Sequence, residues 1–242
     1  MSDVPVFQLD RETIDAVLNQ TAAGTAGKVR ITAIVATLPV IAFVRRSARS
    51  QWVIVSCIGA VALGSLAWTG HGAADEGVVG DIHLASDVAH VLAAGVWVGA
   101  LVGLLLVLRK ASVRQGDQER RIASAQDALA NFGTVGSLAV ALIVLTGLVN
   151  SWLLVGLENV LALPNTTYGR LLILKLVLFV GMLRLAARNR FVLTPAMSPP
   201  VEYAGDALKR VSRSVTFEAS FATIILGLVA WLGTLAPPNS FT

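Results

Sequence analysis

Six apolar stretches, at about residues 29–44, 52–69, 84–108, 134–155, 170–187 and 215–236, occupy about half of this 242-residue chain. Each is long enough to cross, or nearly cross, about 30 Å of hydrocarbon as a helix. Lipid supplies no hydrogen-bond partners to a peptide backbone, so an isolated strand is excluded and all six are expected to be helices. The expected fold class is therefore all-α, a polytopic membrane helical bundle with six transmembrane helices. Composition agrees, with 55% apolar residues, 14% charged residues and a mean hydropathy of +0.72, against about 25% charged residues in ordinary soluble domains. Pro39 lies inside the first stretch and is expected to kink it.

Residues 1–28 are polar and include Asp3, Asp10, Glu12 and Asp15, a pattern unlike a cleavable signal peptide. They are read as a polar N-terminal segment, followed by a transmembrane domain over 29–242. Loop charges set the expected direction. Arg45, Arg46 and Arg49 follow the first span; Arg109, Lys110, Arg114, Arg120 and Arg121 follow the third; Arg184, Arg188, Arg190, Lys209, Arg210 and Arg213 follow the fifth. The alternate loops 70–83 and 156–169 hold no Lys or Arg, and the first carries Asp75, Glu76 and Asp81. The positive-inside rule then turns the basic loops to the cytoplasm and the N-terminus outward. The pI near 9.7 thus reports topology rather than a nucleic-acid partner.

An internal repeat is visible at an offset of 145 residues, where Thr21, Gly24 and Arg30 align with Thr166, Gly169 and Lys175, and Arg45 with Arg190. Each copy reads Thr, two residues, Gly, and a cation six further on. If the duplication is real, spans three to six form one four-helix unit and spans one and two are the second half of another. The expectation is then a truncated or alternatively started form of an eight-helix protein.

Chemistry concentrates at the start of the third span. His83, Asp87 and His90, with Trp97 two turns further on, are spaced by four, three and seven residues, one stripe of a helix. A carboxylate and two imidazoles at a lipid boundary need partners, water or a metal. His71, in the acidic loop, is a candidate fourth ligand. The bland alternative is that these groups bond to loop backbone, to water or to one another, Asp87 fixing a His tautomer.

Other polar residues of the spans have similar pairs of readings. Lys175 and Arg30 lie about one turn inside the boundary, where either can snorkel, pair with Asp87 or line a pocket; Arg30 is expected to snorkel and Lys175 to form an ion pair. Asn150 is expected to hydrogen-bond between helices, with lining a path as the alternative. Glu218 is expected to pair with Arg213 at the interface. Gly95, Gly99 and Gly103, beside Trp97, form a stripe expected to serve as a helix contact surface. Cys57 is the chain's single cysteine and reads as a small buried hydrophobe, which excludes an internal disulfide and a thiolate cluster.

The segments His83 to Gly99 (HLASDVAHVLAAGVWVG), Thr146 to Asn150 (TGLVN) and Thr167 to Arg190 (TYGRLLILKLVLFVGMLRLAARNR) resemble the copper resistance D family of bacterial inner-membrane proteins. Leu9 to Arg30 is similar to the family's segment before its third or so helix, which implies that the first helices of the fuller pattern are expected to be lacking. The resemblance implies copper handling at the inner membrane, with uptake from the periplasm towards the cytoplasm. Imidazole and carboxylate suit divalent copper, whereas monovalent copper prefers sulfur, of which Met182 and Met197 are the sources beyond the initiator.

The expected function is therefore copper transport or homeostasis, with a copper ion accepted at His83, Asp87 and His90. The expected partners are membrane lipid and a periplasmic copper-binding protein. Two alternatives stand beside it. One is a haem-binding redox protein, although all three histidines fall between 71 and 90, leaving no facing helix to complete bis-His ligation. The other is a non-transporting subunit that docks the periplasmic protein through the acidic loop. No phosphate-cradling Gly-rich loop or Ser-His-Asp arrangement is visible, and the chain is not expected to be an enzyme.

Overall fold

A computed structural model describes residues 10–43, 49–70, 77–113, 118–195 and 201–238, the side chains of 111–113, 118–122 and 201–205 excepted. Arg45, Arg46, His71, Asp75, Glu76, Arg114 and Met197 lie outside the described residues. The chain is all-α, with helices α1 (Arg11–Gln20), α2 (Ala22–Phe43), α3 (Arg49–Gly64), α4 (Gly77–Val113), α5 (Gln118–Val155), α6 (Thr167–Arg188) and α7 (Val201–Leu232), and no strand occurs among the described residues. Short 3-10 turns span Ala67–Thr69 and Val160–Asn165, and a π-helical turn, Asn189–Leu193, follows α6.

Among the described residues five helices are long and apolar enough to cross a membrane, over Ala22–Phe43, Arg49–Thr69, Gly77–Lys110, Ala123–Val155 and Asp206–Leu232. The other expected span corresponds to α6, which has 22 residues but carries Arg170, Lys175 and Arg184 as well as Arg188. Charge, not length, separates α6 from the other five.

The observed helices begin earlier than hydropathy suggests. α2 starts at Ala22 and crosses the expected boundary at residue 28, because the Thr21 hydroxyl accepts the Gly24 amide at 3.0 Å and caps its first turn. α1 is started by Asp10, whose carboxylate accepts the Thr13 amide at 2.8 Å. Hydrogen bonds from the Thr13 side chain and backbone hold that carboxyl below the usual aspartate range. α4 opens at Gly77, whose φ of +72° is the left-handed conformation that glycine adopts without steric cost. His83 therefore lies inside a helix rather than at its mouth. α5 absorbs most of the basic loop that follows α4.

The side chains of α5 are arranged oppositely to those of a water-soluble helix. Leu138, Leu145, Leu148 and Trp152 form an exposed stripe, while Ala139, Ile143, Thr146 and Asn150 are buried on another face. The more polar face is inside and the wholly apolar face outside, as expected when the surrounding solvent is lipid. Tryptophans follow the same logic. Trp52, Trp68, Trp152 and Trp231 are exposed at or near the ends of their helices, where an amphipathic ring suits a membrane interface. Trp97, at 4% exposure, is the exception.

The chain divides into two compact units, residues 1–92 and 93–242. In the first, α1 packs on α2, and α2 packs on α3 and on the turn Ala67–Thr69. Val88 of α4 lies 3.9 Å from the position a Cβ on Gly64 would take, so the start of α4 reaches the end of α3. In the second, α7 packs against α5, α6 and the π turn, around a core that includes Trp97, Leu101, Leu104, Leu108, Val211 and Val215. A further cluster, with Val155, Tyr168, Leu172 and Leu228, is also part of this unit.

Candidate functional site

α4 is unbroken from Gly77 to Val113, so the helical premise of the His83, Asp87, His90 and Trp97 stripe holds. Within the first unit His83 is 2% exposed, and Asp87 and His90 are half-buried. Gly70, which ends the turn Ala67–Thr69, lies against Asp87: a Cβ built there would stand 3.2 Å from the Asp87 Oδ2. A glycine at 70 thus lets a carboxylate approach the backbone closely. The turn also receives Arg30, whose Nε donates to the Ser65 Oγ at 3.3 Å and whose Nη2 donates to the Ser65 carbonyl at 3.5 Å. Ser65 is itself buried and donates to the Ala62 carbonyl at 2.7 Å. Arg30, expected to snorkel, is instead half-buried and tied to the end of α3. Residues 64–70 therefore bring Arg30 and Asp87 to one short turn.

No group of three His, Cys, Asp or Glu side chains placed to hold a metal ion occurs among the described residues, so His83, Asp87 and His90 do not by themselves form one. His71, the fourth candidate ligand, lies outside them.

In the second unit Trp97 packs edge-on against Phe179 of α6, with ring centroids 5.6 Å apart and planes at 86°. Two glycines of the stripe beside it, Gly99 and Gly103, do not have the expected role among the described residues. Positions where Gly99 and Gly103 would carry a Cβ have no neighbour within 4 Å, so Trp97 rather than these glycines makes the contact. Asn150 is buried with Thr146 on the inner face of α5, and Lys175 is half-buried on α6. Cys57, expected to be buried, is exposed on α3, a place where lipid meets an apolar thiol as readily as protein does.

A polar cluster that the hydropathy pattern hides lies where α6 ends on α7. Glu218 is fully buried, and its Oε1 accepts a hydrogen bond from the Asn189 Nδ2. The expected pair with Arg213 does not form. The Arg213 guanidinium lies exposed over the Phe217 ring, 5.8 Å from its centroid, because the two side chains leave α7 in different directions. Ser214, one turn before Glu218, is also buried. Asn189 opens the π-helical turn, and its carbonyl accepts both the Thr194 amide at 2.9 Å and the Thr194 hydroxyl at 2.7 Å. A glutamate inside an apolar run was the available sequence signal, and Asn189 joins it only through helix packing.

Residues 126–232 match the family described as copper resistance protein D, and residues 1–81 match the copper resistance protein D-like N-terminal domain. Among curated relatives, copper resistance protein D of Pseudomonas syringae pv. tomato is 41% identical over 92% of this chain and 71% of its own length. Inner membrane protein YebZ of Escherichia coli (strain K12) is 30% identical over 71% of this chain and 55% of its own. Copper transport protein CutJ of Bacillus subtilis (strain 168) is 35% identical over 53% of this chain, which spans 22% of that relative. No solved structure matches. With its five apolar spans and these relatives, the chain is a multi-pass inner-membrane protein. Both family matches, together with the extent of the Pseudomonas similarity, establish that the chain belongs to the copper resistance protein D family.

Proposed function

We propose that this chain takes part in copper transport or copper homeostasis at the inner membrane, accepting copper through donors of the α4 stripe, His83, Asp87 and His90, with His71 as the candidate further ligand, and aiding its passage inward. Relatives named for copper resistance and copper transport support the copper-related part of this reading. The observation that carries the site is a histidine at 2% exposure inside an apolar helix, followed on that helix by Asp87 and His90. Burying polar side chains in such a segment is costly, which favours a functional use over chance. Asp87 adds the close approach of its carboxylate to Gly70, the residue before His71, the proposed fourth ligand.

Copper is the cargo here, and the donor set matches its divalent form. Met182, a sulfur source better suited to monovalent copper, is buried in the core of the second unit. The basic loops are proposed to face the cytoplasm and the His83 end of α4 the periplasm, where a copper-binding protein would deliver the ion.

Metal analysis of the detergent-purified full chain tests the site directly. Wild type loaded with copper and washed is expected to retain about one ion per chain, and His83→Ala/His90→Ala about tenfold less, the scale expected for lost metal contacts. Cells expressing the double variant should accumulate correspondingly less copper. Equal copper content in the two purified proteins rejects these ligands.

A further inference from the structure

The second unit holds a buried carboxyl group whose hydrogen bonding is incomplete. Glu218, Asn189 and Ser214 are 0%, 5% and 8% exposed, and Glu218 Oε2, Asn189 Oδ1 and Ser214 Oγ are buried oxygen atoms with no hydrogen-bond partner. Native proteins pair nearly all such atoms. Here three come from side chains that sequence and packing bring together: Ser214 and Glu218 share a face of α7, and the Asn189 amide bonds the Glu218 carboxylate.

Among the described residues no arginine pairs with this carboxyl group. Arg190 donates to the Gly133 carbonyl and the Ser137 hydroxyl of α5, and Arg213 lies over Phe217. Arg184, Arg188, Lys209 and Arg210 are exposed. Lys175 is half-buried but fourteen residues before Asn189, about 21 Å along the helix.

We propose that Glu218, Asn189 and Ser214 form an intramembrane binding site for one hard monovalent cation of sodium type. Charge and donor chemistry select that ligand. One carboxylate with a neutral amide and hydroxyl balances a single positive charge, and a low-dielectric interior penalises any larger imbalance. Carboxylate, amide and hydroxyl oxygens suit a hard ion, whereas monovalent copper would require sulfur. The backbone matches the role: Asn189 sits at the point where α6 gives way to a π turn, and such irregular turns are frequent at functional sites. Discontinuities of this kind also hold coupling ions in membrane transport folds. The site is separate from the proposed copper ligands and does not depend on them.

Equilibrium binding of radioactive sodium to the purified full chain, with choline holding ionic strength constant, tests the proposal. Wild type is expected to bind about one sodium per chain saturably in the millimolar range and to gain thermal stability with sodium but not with choline. Glu218→Gln should lower affinity at least tenfold and abolish the sodium-dependent stabilisation. Ser214→Ala keeps the carboxylate and should weaken binding severalfold, so the prediction survives even if Glu218→Gln folds poorly. His83→Ala should bind sodium as wild type does, which separates this site from the copper reading. The proposal is overturned by absence of saturable sodium binding in wild type, or by unchanged binding in folded Glu218→Gln or Ser214→Ala.

Discussion

The corner at Thr21 and the corner at Thr166 are built alike and serve different surroundings. In both, the threonine hydroxyl accepts a glycine amide three residues on at 3.0 Å, from Gly24 in one and Gly169 in the other. Each hydroxyl also donates backwards, to the Val17 carbonyl at 2.6 Å and to the Leu163 carbonyl at 3.2 Å. Both glycines sit where a side chain has no room. A Cβ on Gly24 would lie 2.2 Å from the Val17 carbonyl oxygen, and one on Gly169 would lie 2.0 Å from that of Leu163. The repeated Thr and Gly are therefore one device, a capped helix start pressed against the preceding backbone.

What differs is the incoming element. Gly24 meets the last turn of α1, a ten-residue helix with no buried residue, whereas Gly169 meets the 3-10 turn Val160–Asn165, which Arg170 braces by donating to the Pro164 carbonyl at 2.8 Å. The cations six residues on differ too. Arg30 is spent on Ser65, while Lys175 occupies a half-buried place on a helix that ends at the Glu218 cluster. A short repeat thus specifies how a helix begins but not what its far end is used for.

The largest effect should come from filling the glycine positions. Gly169→Ala meets a braced turn and is expected to cost about 3 kcal/mol, with Gly24→Ala costing less because α1 can shift. Thermal unfolding in one detergent compares them; equal losses would show that both incoming elements resist alike and break the contrast. Removing the caps is milder. Thr166→Ala and Thr21→Ala should each lose about 1 kcal/mol, and similar values would support the equivalence of the two caps. Acid should produce the smallest change, confined to the first corner. Because the Asp10 carboxyl is held below its ordinary value, its contribution is present above the unfolded aspartate range and lost as pH falls through the folded value. Hydrogen exchange across residues 11–20 should accelerate in acid, and Asp10→Asn should flatten that dependence; exchange that stays pH-sensitive in the variant rejects Asp10 as the cause.

Much of this protein was legible because the relevant forces are local. Span-length hydropathy located five of the six expected spans. The sixth prediction fell on α6, whose cations set it apart. The Thr and Gly repeat was visible because a cap acts over three residues. Misreadings arose where sequence neighbours proved not to be spatial partners. Proximity in sequence pairs Glu218 with Arg213, yet its hydrogen-bond partner is Asn189, 29 residues away. Gly99 and Gly103 had contact-like spacing, but spacing along one helix cannot tell whether another helix lies opposite.

By itself the amino-acid sequence determined an all-helical membrane chain, the repeated Thr and Gly corner and the polar stripe of α4, since hydropathy, capping and helical period depend on residues within a turn or a span. Tertiary structure decided that Arg30 goes to Ser65, that Trp97 packs on Phe179, and that Glu218 and Asn189 share one buried place. Those outcomes required separate helices to pack, and a buried polar group takes its partner from whatever the packing brings within hydrogen-bond reach.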